Sequence, residues 1–217
     1  MTETLPLTLD ELLTTTRAVR RRLDFSRPVP RSVILECIDI AQQAPVGSNF
    51  QHWHFVVVED AAKKQAIAKL YRQAYAGYRT SPIYATAQPT GDTTHDTIQT
   101  RVADSADYLA AHLEECPALV IPCIERRVNG VEVPTALNLS CILPAAWSFM
   151  LAARARGLGT CWTTNHLPFE AQVADILGIP HPDIAQTMLT PLAYTLGSDF
   201  KPATRPDPTA ITHFDTW

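Results

Sequence analysis

Residues 145–162, AAWSFMLAARARGLGTCW, constrain the fold of this chain more than any other stretch. Trp147, Phe149, Met150 and Leu151 stand among alanines, so the first part is apolar on nearly every side, as a helix is when it is buried all round. Arg154 and Arg156 fall in its last turn and Gly157 follows, the cations and left-handed cap residue that end helices. Leu158 and Gly159 then lead into residues 160–164, TCWTT, whose β-branched and aromatic content predicts a buried strand. The two glycines of this tight turn expose backbone N–H groups that a flat ligand could approach, although most such turns between a helix and a strand are only turns.

A chain of 217 residues is one large domain, or one domain with appendages, and buries roughly 70% of its unfolded surface. Hydrophobic residues at 46% and charged residues at 18% exclude global disorder. The net charge of −4 disfavours nucleic acid as a partner. No apolar run approaches the roughly 18 residues of a membrane span, and residues 1–6, MTETLP, lack the basic-then-apolar layout of a signal peptide. The expected location is therefore the cytoplasm, with no membrane partner. Cys37, Cys116, Cys123, Cys141 and Cys161 are irregularly spaced without a Cys-x-x-Cys pair, which predicts buried thiols rather than a disulfide framework or a zinc site. Cys161 and His166 could serve as nucleophile and base, against the plainer reading of a packed core cysteine.

From the start, Thr8 and Glu11 form a capping box that predicts a helix from near Leu9 towards Arg20, closed by Arg17, Arg20, Arg21 and Arg22 crowded into one turn. That cluster is either a solvated surface or an anion site. Val33, Ile34, Cys37, Ile38 and Ala41 repeat at helical spacing up to Gln43. Residues 44–53, APVGSNFQHW, form a loop that delivers Ser48, Asn49 and Gln51 to the mouth of a strand over residues 54–58. Asp60 caps a helix past Tyr71, and residues 77–94 read as a surface excursion or lid. A helix over 98–114, a strand over 119–124, a hairpin signal at 128–131, a helix over 168–177 and a strand over 186–196 complete the expected order. The tail beyond Gly197 cannot make a core of its own and is expected to lie across its own domain or a second subunit.

Four stretches taken in order resemble the nitroreductase family of FMN-dependent oxidoreductases, from about Thr14 to Pro206. Residues 16–20, TRAVR, resemble the family's RRSxR start, and APVGSNFQHW is similar to APSxxNxQPW. GLGTCW at 157–162, followed by LGIP at 177–180, resembles the GLG[ST]xW turn, and KPATR at 201–205 resembles a closing KPxxR. Thr16 stands where an arginine is usual, Ala18 replaces the serine, and His52 replaces a proline. Gly157 and Gly159 are not a dinucleotide fingerprint, because they follow a helix and precede a strand.

The resemblance implies an α+β fold, a mixed central sheet flanked by helices, in a single domain over residues 1–217. It implies a domain-exchanged homodimer with residues 197–217 wrapping the partner and one FMN in each interface groove. Arg17 and Arg20, with Arg205 and Lys201, would meet the phosphate, ribityl chain or pyrimidine edge, and Ala18 would contribute backbone only. Ser48, Asn49 and Gln51 would arrive from the partner, and N–H groups near Leu158, Gly159 and Thr160 would face the ring nitrogens. The implied activity is hydride transfer from NADPH or NADH through FMN to a nitroaromatic, quinone or similar small aromatic acceptor, by a ping-pong mechanism. It requires no catalytic side chain and no metal. The alternatives are a flavin-binding or ligand-sequestering protein with little turnover, or a relative that cleaves the flavin or removes halogen.

Overall fold

The computed structural model describes residues 2–217. Along them run α1 (Leu9–Thr15), β1 (Leu23–Asp24), α2 (Arg31–Ala41), β2 (Trp53–Val58), α3 (Ala61–Arg79) and α4 (Thr93–His112). β3 (Ala118–Glu125), β4 (Arg127–Val128), β5 (Val131–Glu132), α5 (Thr135–Ala155), β6 (Leu158–Thr160), α6 (Glu170–Leu177), β7 (Ile184–Gln186) and β8 (Thr190–Thr195) follow. The main sheet runs β1-β8-β3-β2, with β6 also on β8 and β7 also on β3, and its ladders are antiparallel. An isolated bridge between Ala18 and Thr160 adds a parallel contact.

The sheet is covered on both sides because β3 is apolar on both faces. Leu119, Ile121 and Cys123 meet Ile67, Tyr71, Leu109 and Leu113 from α3 and the α4 end, whereas Ala118 and Val120 meet α2 and α5 through Ile34, Phe149 and Met150. Alternate strand residues point to opposite faces, so a strand buried on both faces reads as a continuous apolar run rather than an alternating one.

The central helix is longer than its sequence signal. It begins at Thr135 and passes through Pro144, whose missing N–H costs a hydrogen bond that burial of Cys141, Ile142, Ala145 and Ala146 outweighs. By length and composition it could cross a bilayer, with a mean hydropathy of 1.6 over its most apolar window, which corrects the expectation that no segment approaches a membrane span. In the fold it is a core helix, half of that window buried. Gly157 takes the left-handed cap at φ 73° as expected. Arg156 folds under the helix end onto Glu36 of α2 at 3.2 Å.

Several boundaries move. α1 stops at Thr15 instead of continuing towards Arg20, because the hydroxyls of Thr14, Thr15 and Thr16 each donate back to a carbonyl one turn earlier at 2.6 Å. The arginines that follow are therefore not crowded in one helical turn. The strand expected over residues 160–164 starts two residues earlier, since β6 holds Leu158–Thr160, and residues 186–196 divide into β7 and β8. The irregular excursion narrows to residues 80–92, between α3 and α4. Asn129 and Gly130, both at positive φ, close the expected hairpin between β4 and β5.

Gly159 has a packing role. A Cβ there would lie 2.8 Å from Thr195 Cγ2, 2.9 Å from Leu23 Cδ2 and 3.0 Å from Val19 Cβ, so only glycine lets the post-α1 segment lie against β6. Gly159→Ala should lower the urea unfolding free energy by about 1–3 kcal/mol, the usual cost of overpacking. An unchanged midpoint at constant slope would contradict this packing role.

Candidate active site

The extended segment after α1 is held by the Val19 N–H, which donates to the Thr160 carbonyl at 2.8 Å. Val19 is buried, Arg17 is exposed and Arg20 is half-buried, so the cations diverge from one strap. Arg17 Nη1 donates to the Lys201 carbonyl at 2.9 Å, and Arg20 Nη1 to Ser105 Oγ at 3.1 Å. Arg21 reaches the Asp104 carbonyl, while Arg22 binds the Leu196 carbonyl and Asp199. Two hollows flank the strap. One of about 350 Å³ is lined by Leu13, Thr16, Arg17, Trp147 and Arg205, with no carboxylate among its lining residues, which suits an anion. The other, of about 340 Å³, is lined by Arg20, by Tyr71, Tyr75, Tyr78 and Tyr84, and by residues 161–165. Three residues of extended chain separate Arg17 from Arg20, about 10 Å.

The tyrosine hollow was not anticipated, although Tyr71, Tyr75 and Tyr78 recur at i, i+4 and i+7 on α3, which places them on one face. Tyr71 Oη and Thr163 Oγ1 share a hydrogen bond of 2.8 Å, and Asn165 Nδ2 donates to Tyr71 Oη at 3.2 Å. Tyr75 Oη donates to Asp107 Oδ1 at 2.9 Å and lies 3.1 Å from Tyr84 Oη. Burial, then the bonds to Tyr84 and Asp107, push the Tyr75 hydroxyl well up, so it stays a neutral donor. Tyr84, Ile83 and Ala85 come from the 80–92 excursion, which thus forms one wall.

The remaining predicted residues divide. Leu158 and Thr160 are buried within β6 and Gly159 is enclosed with them; the neighbouring chain that reaches the tyrosine hollow is residues 161–165. Ala18 is exposed beside its bridge to Thr160. Lys201 and Arg205 are exposed at the start of the tail. Ser48, Asn49 and Gln51 lie apart from the arginines in one chain. Ser48 lines a separate hollow of about 140 Å³ with Phe50, His52, Asn138 and Cys141, and Gln51 Nε2 donates to Asn49 Oδ1. Ser48 and Asn49 are consecutive non-glycine residues at φ 52° and 54°, a strained turn of the kind retained at ligand-holding loops. A further hollow of about 450 Å³, between the β3 end, β7 and the start of α5, contains none of the predicted residues.

Cys161 and His166 are both buried. Burial raises the Cys161 thiol and lowers the His166 imidazole to about 4, so neither has the ionisation of a nucleophile–base pair. Among the described residues no cluster could hold a metal ion.

A sequence model of the nitroreductase family matches residues 13–197. A Bacillus subtilis (strain 168) protein designated an NAD(P)H nitroreductase, YodC, is 24% identical over 204 residues, covering 93% of this chain and 95% of its own. Among solved structures, iodotyrosine deiodinase bound to FMN and 3-iodo-L-tyrosine superimposes with a TM-score of 0.72 at 21% identity, covering 97% of this chain and all of that one. The FMN and NADPH-dependent nitroreductase NfnB of Sphigopyxis sp. strain HMH gives 0.67 at 19% identity with the same coverage.

Neither ring nitrogen of His166 has a partner, which makes its neutral form a condition of folding. The unfolded imidazole binds a proton near pH 6.5 and the folded one only near 4, so this stabilisation is full above 6.5 and is lost as the pH falls towards 4. Between pH 7 and 5 the wild type should lose about 2 kcal/mol more unfolding free energy than His166→Leu. Equal losses in urea titrations at the two pH values would contradict this.

Proposed function

The chain belongs to the nitroreductase family, and from that membership we propose that it is an FMN-dependent oxidoreductase that uses NADPH or NADH to reduce a nitroaromatic, quinone or similar aromatic acceptor. The observation that carries the reading is the pair of hollows joined by one strap, a cationic end at Arg17 and Arg205 and an aromatic end at Arg20 and the tyrosines. The residues present fit FMN. Arg17 and Arg205 would hold the phosphate with forked donors, Lys201 would add a charge nearby, and the buried, unpartnered Nε and Nη1 of Arg154 leave positive charge behind that end. Ala18 leaves room beside the strap, Arg20 would meet the pyrimidine edge, and the hydrogen-bonded chain of Thr163, Tyr71 and Asn165 would orient the ring. Thr16 and Ala18 shift the phosphate contacts to Arg17, Arg205 and backbone.

When bound, FMN would supply the redox chemistry between the nicotinamide and the acceptor. The protein positions both substrates in turn over one ring, excludes water with the tyrosine wall and the 80–92 excursion, and keeps Tyr75 protonated. No catalytic side chain and no metal is required. Ping-pong kinetics follow from a shared pocket.

The working unit is a homodimer. All of residues 201–217 are exposed, with Phe214 and Trp217 at 84% and 102%, and Trp147 and Leu137 of α5 also face outward. Such apolar groups need a second surface. In an isologous pair the 197–217 tail would wrap the partner, and the strained turn at Ser48 and Asn49, with Gln51, would complete the partner's flavin groove. Residues 1–217 would then act as one domain. The likeness to the deiodinase favours a second reading, reductive removal of halogen from an iodinated phenol, on the same groove.

Anaerobic NADPH should bleach a flavin absorbance in the purified protein, and a nitroaromatic or quinone should restore it with parallel double-reciprocal plots. Tyr84→Ala should raise the acceptor KM by about three- to tenfold, from loss of an aromatic wall, with a smaller change in the bleaching rate. Iodide release from iodotyrosine without nitroaromatic turnover would select the second reading, and bleaching without turnover of any acceptor would leave a flavin-binding protein.

A further inference from the structure

Arg154, the buried cation behind the phosphate end, has no carboxylate partner of its own. It sits in the last turn of α5 with only 3% of its surface exposed. Nη2 donates to Thr15 Oγ1 at 3.3 Å and to the Ser198 carbonyl at 3.0 Å, and the guanidinium lies 4.9 Å from the centroid of Phe200. Nε and Nη1 have no partner among the described residues. A buried cation without a carboxylate is costly, so its retention asks for an anion or a structural task that repays it.

Its contacts mark that task. Thr15 ends α1 two residues before Arg17, while Ser198 and Phe200 lead directly into Lys201. Arg154 thus ties together the two segments that carry the cationic hollow, and Arg17 repeats the tie one step outward through the Lys201 carbonyl. Arg22 pins the same tail through Leu196 and Asp199 and covers Phe200 at 4.3 Å. Asp199 answers Arg22 and the charge of Lys201, while Arg17 and Arg154 bind only carbonyl and hydroxyl oxygens here, which leaves the region positive before any ligand arrives.

We propose that Arg154 is a positioning residue that gives this chain its preference for a phosphorylated flavin over the dephosphorylated one. It sets the spacing between the end of α1 and the start of the tail, and it leaves the Arg17–Arg205 cradle with charge that only an anion neutralises. The inference rests on the flavin reading above. The effect of Arg154 is confined to the phosphate end.

The test is the affinity of apoprotein for FMN and for riboflavin, measured by quenching of flavin fluorescence in wild type, Arg154→Met and Arg154→Lys. Arg154→Met should weaken FMN about tenfold while riboflavin changes by less than about twofold, the loss expected when charge-assisted phosphate contacts are misplaced. Arg154→Lys should recover part of the preference, and added salt should narrow the wild-type preference more than that of Arg154→Met. Equal weakening of both flavins, or an unchanged ratio, overturns the proposal. Should Arg154→Met fail to fold, Thr15→Val removes one anchor alone and should lower the ratio about threefold; no change there overturns it as well. A wild type that binds neither flavin overturns the underlying flavin reading and this inference with it, whereas FMN binding with an Arg154-independent ratio overturns this inference alone.

Discussion

The seating of the post-α1 strap on β6 is the contact on which the rest depends. Val19 inserts its side chain where Gly159 has none, and its N–H closes on the Thr160 carbonyl. Because the strap is extended rather than helical, Arg17 and Arg20 are spread along a line instead of stacked on a turn. The same contact brings the end of α1 against the last turn of α5, where Arg154 receives it, and brings the tail across Arg17 and Arg22. One close approach of backbone to backbone therefore sets the separation between the cationic and aromatic hollows. A side chain at residue 159 would be felt at both.

Most of the fold was legible in the sequence because its elements bury clean periodic faces. The apolar run of β3, the capped start of α3 and the left-handed stop at Gly157 are local signals that tertiary packing reinforces. The misreadings share a cause. The end of α1 is decided by three threonine hydroxyls turning back on the helix, and the start of α5 by burial that overrides Pro144, and neither is a matter of apolar spacing. The arginine cluster was visible as composition, but its geometry waited on where the helix stopped.

The site itself was legible in pieces. The resemblance singled out Arg17, Arg20, Lys201 and Arg205; Arg17 and Arg205 line one hollow, Arg20 lines the other, and the Lys201 carbonyl accepts from Arg17. Tyr71, Tyr75 and Tyr78 carried a helical spacing that went unread as a wall, and Tyr84 joins them only through the fold of the excursion between α3 and α4. Arg154 was legible only as a helix-ending cation, because burial and the lack of a carboxylate are properties of packing. Ser48, Asn49 and Gln51 form a second exposed cluster, strained at Ser48 and Asn49, whose hollow contains none of the arginines of the same chain. A two-fold pairing would be the way to bring this turn of one chain to the arginines of the other.

The most direct test of this arrangement is complementation between two chains that each lack one half of the groove. A chain carrying Arg17→Ala with Arg205→Ala and a differently tagged chain carrying Ser48→Ala, Asn49→Ala and Gln51→Ala would be co-expressed, and the doubly tagged dimer isolated for flavin analysis. Each variant alone should lose most of its FMN, and the mixed dimer should recover about one FMN per two chains, since one of its two grooves is then intact. A mixed dimer as empty as either parent, or a wild-type chain that holds FMN as a monomer, would contradict a groove built from both subunits.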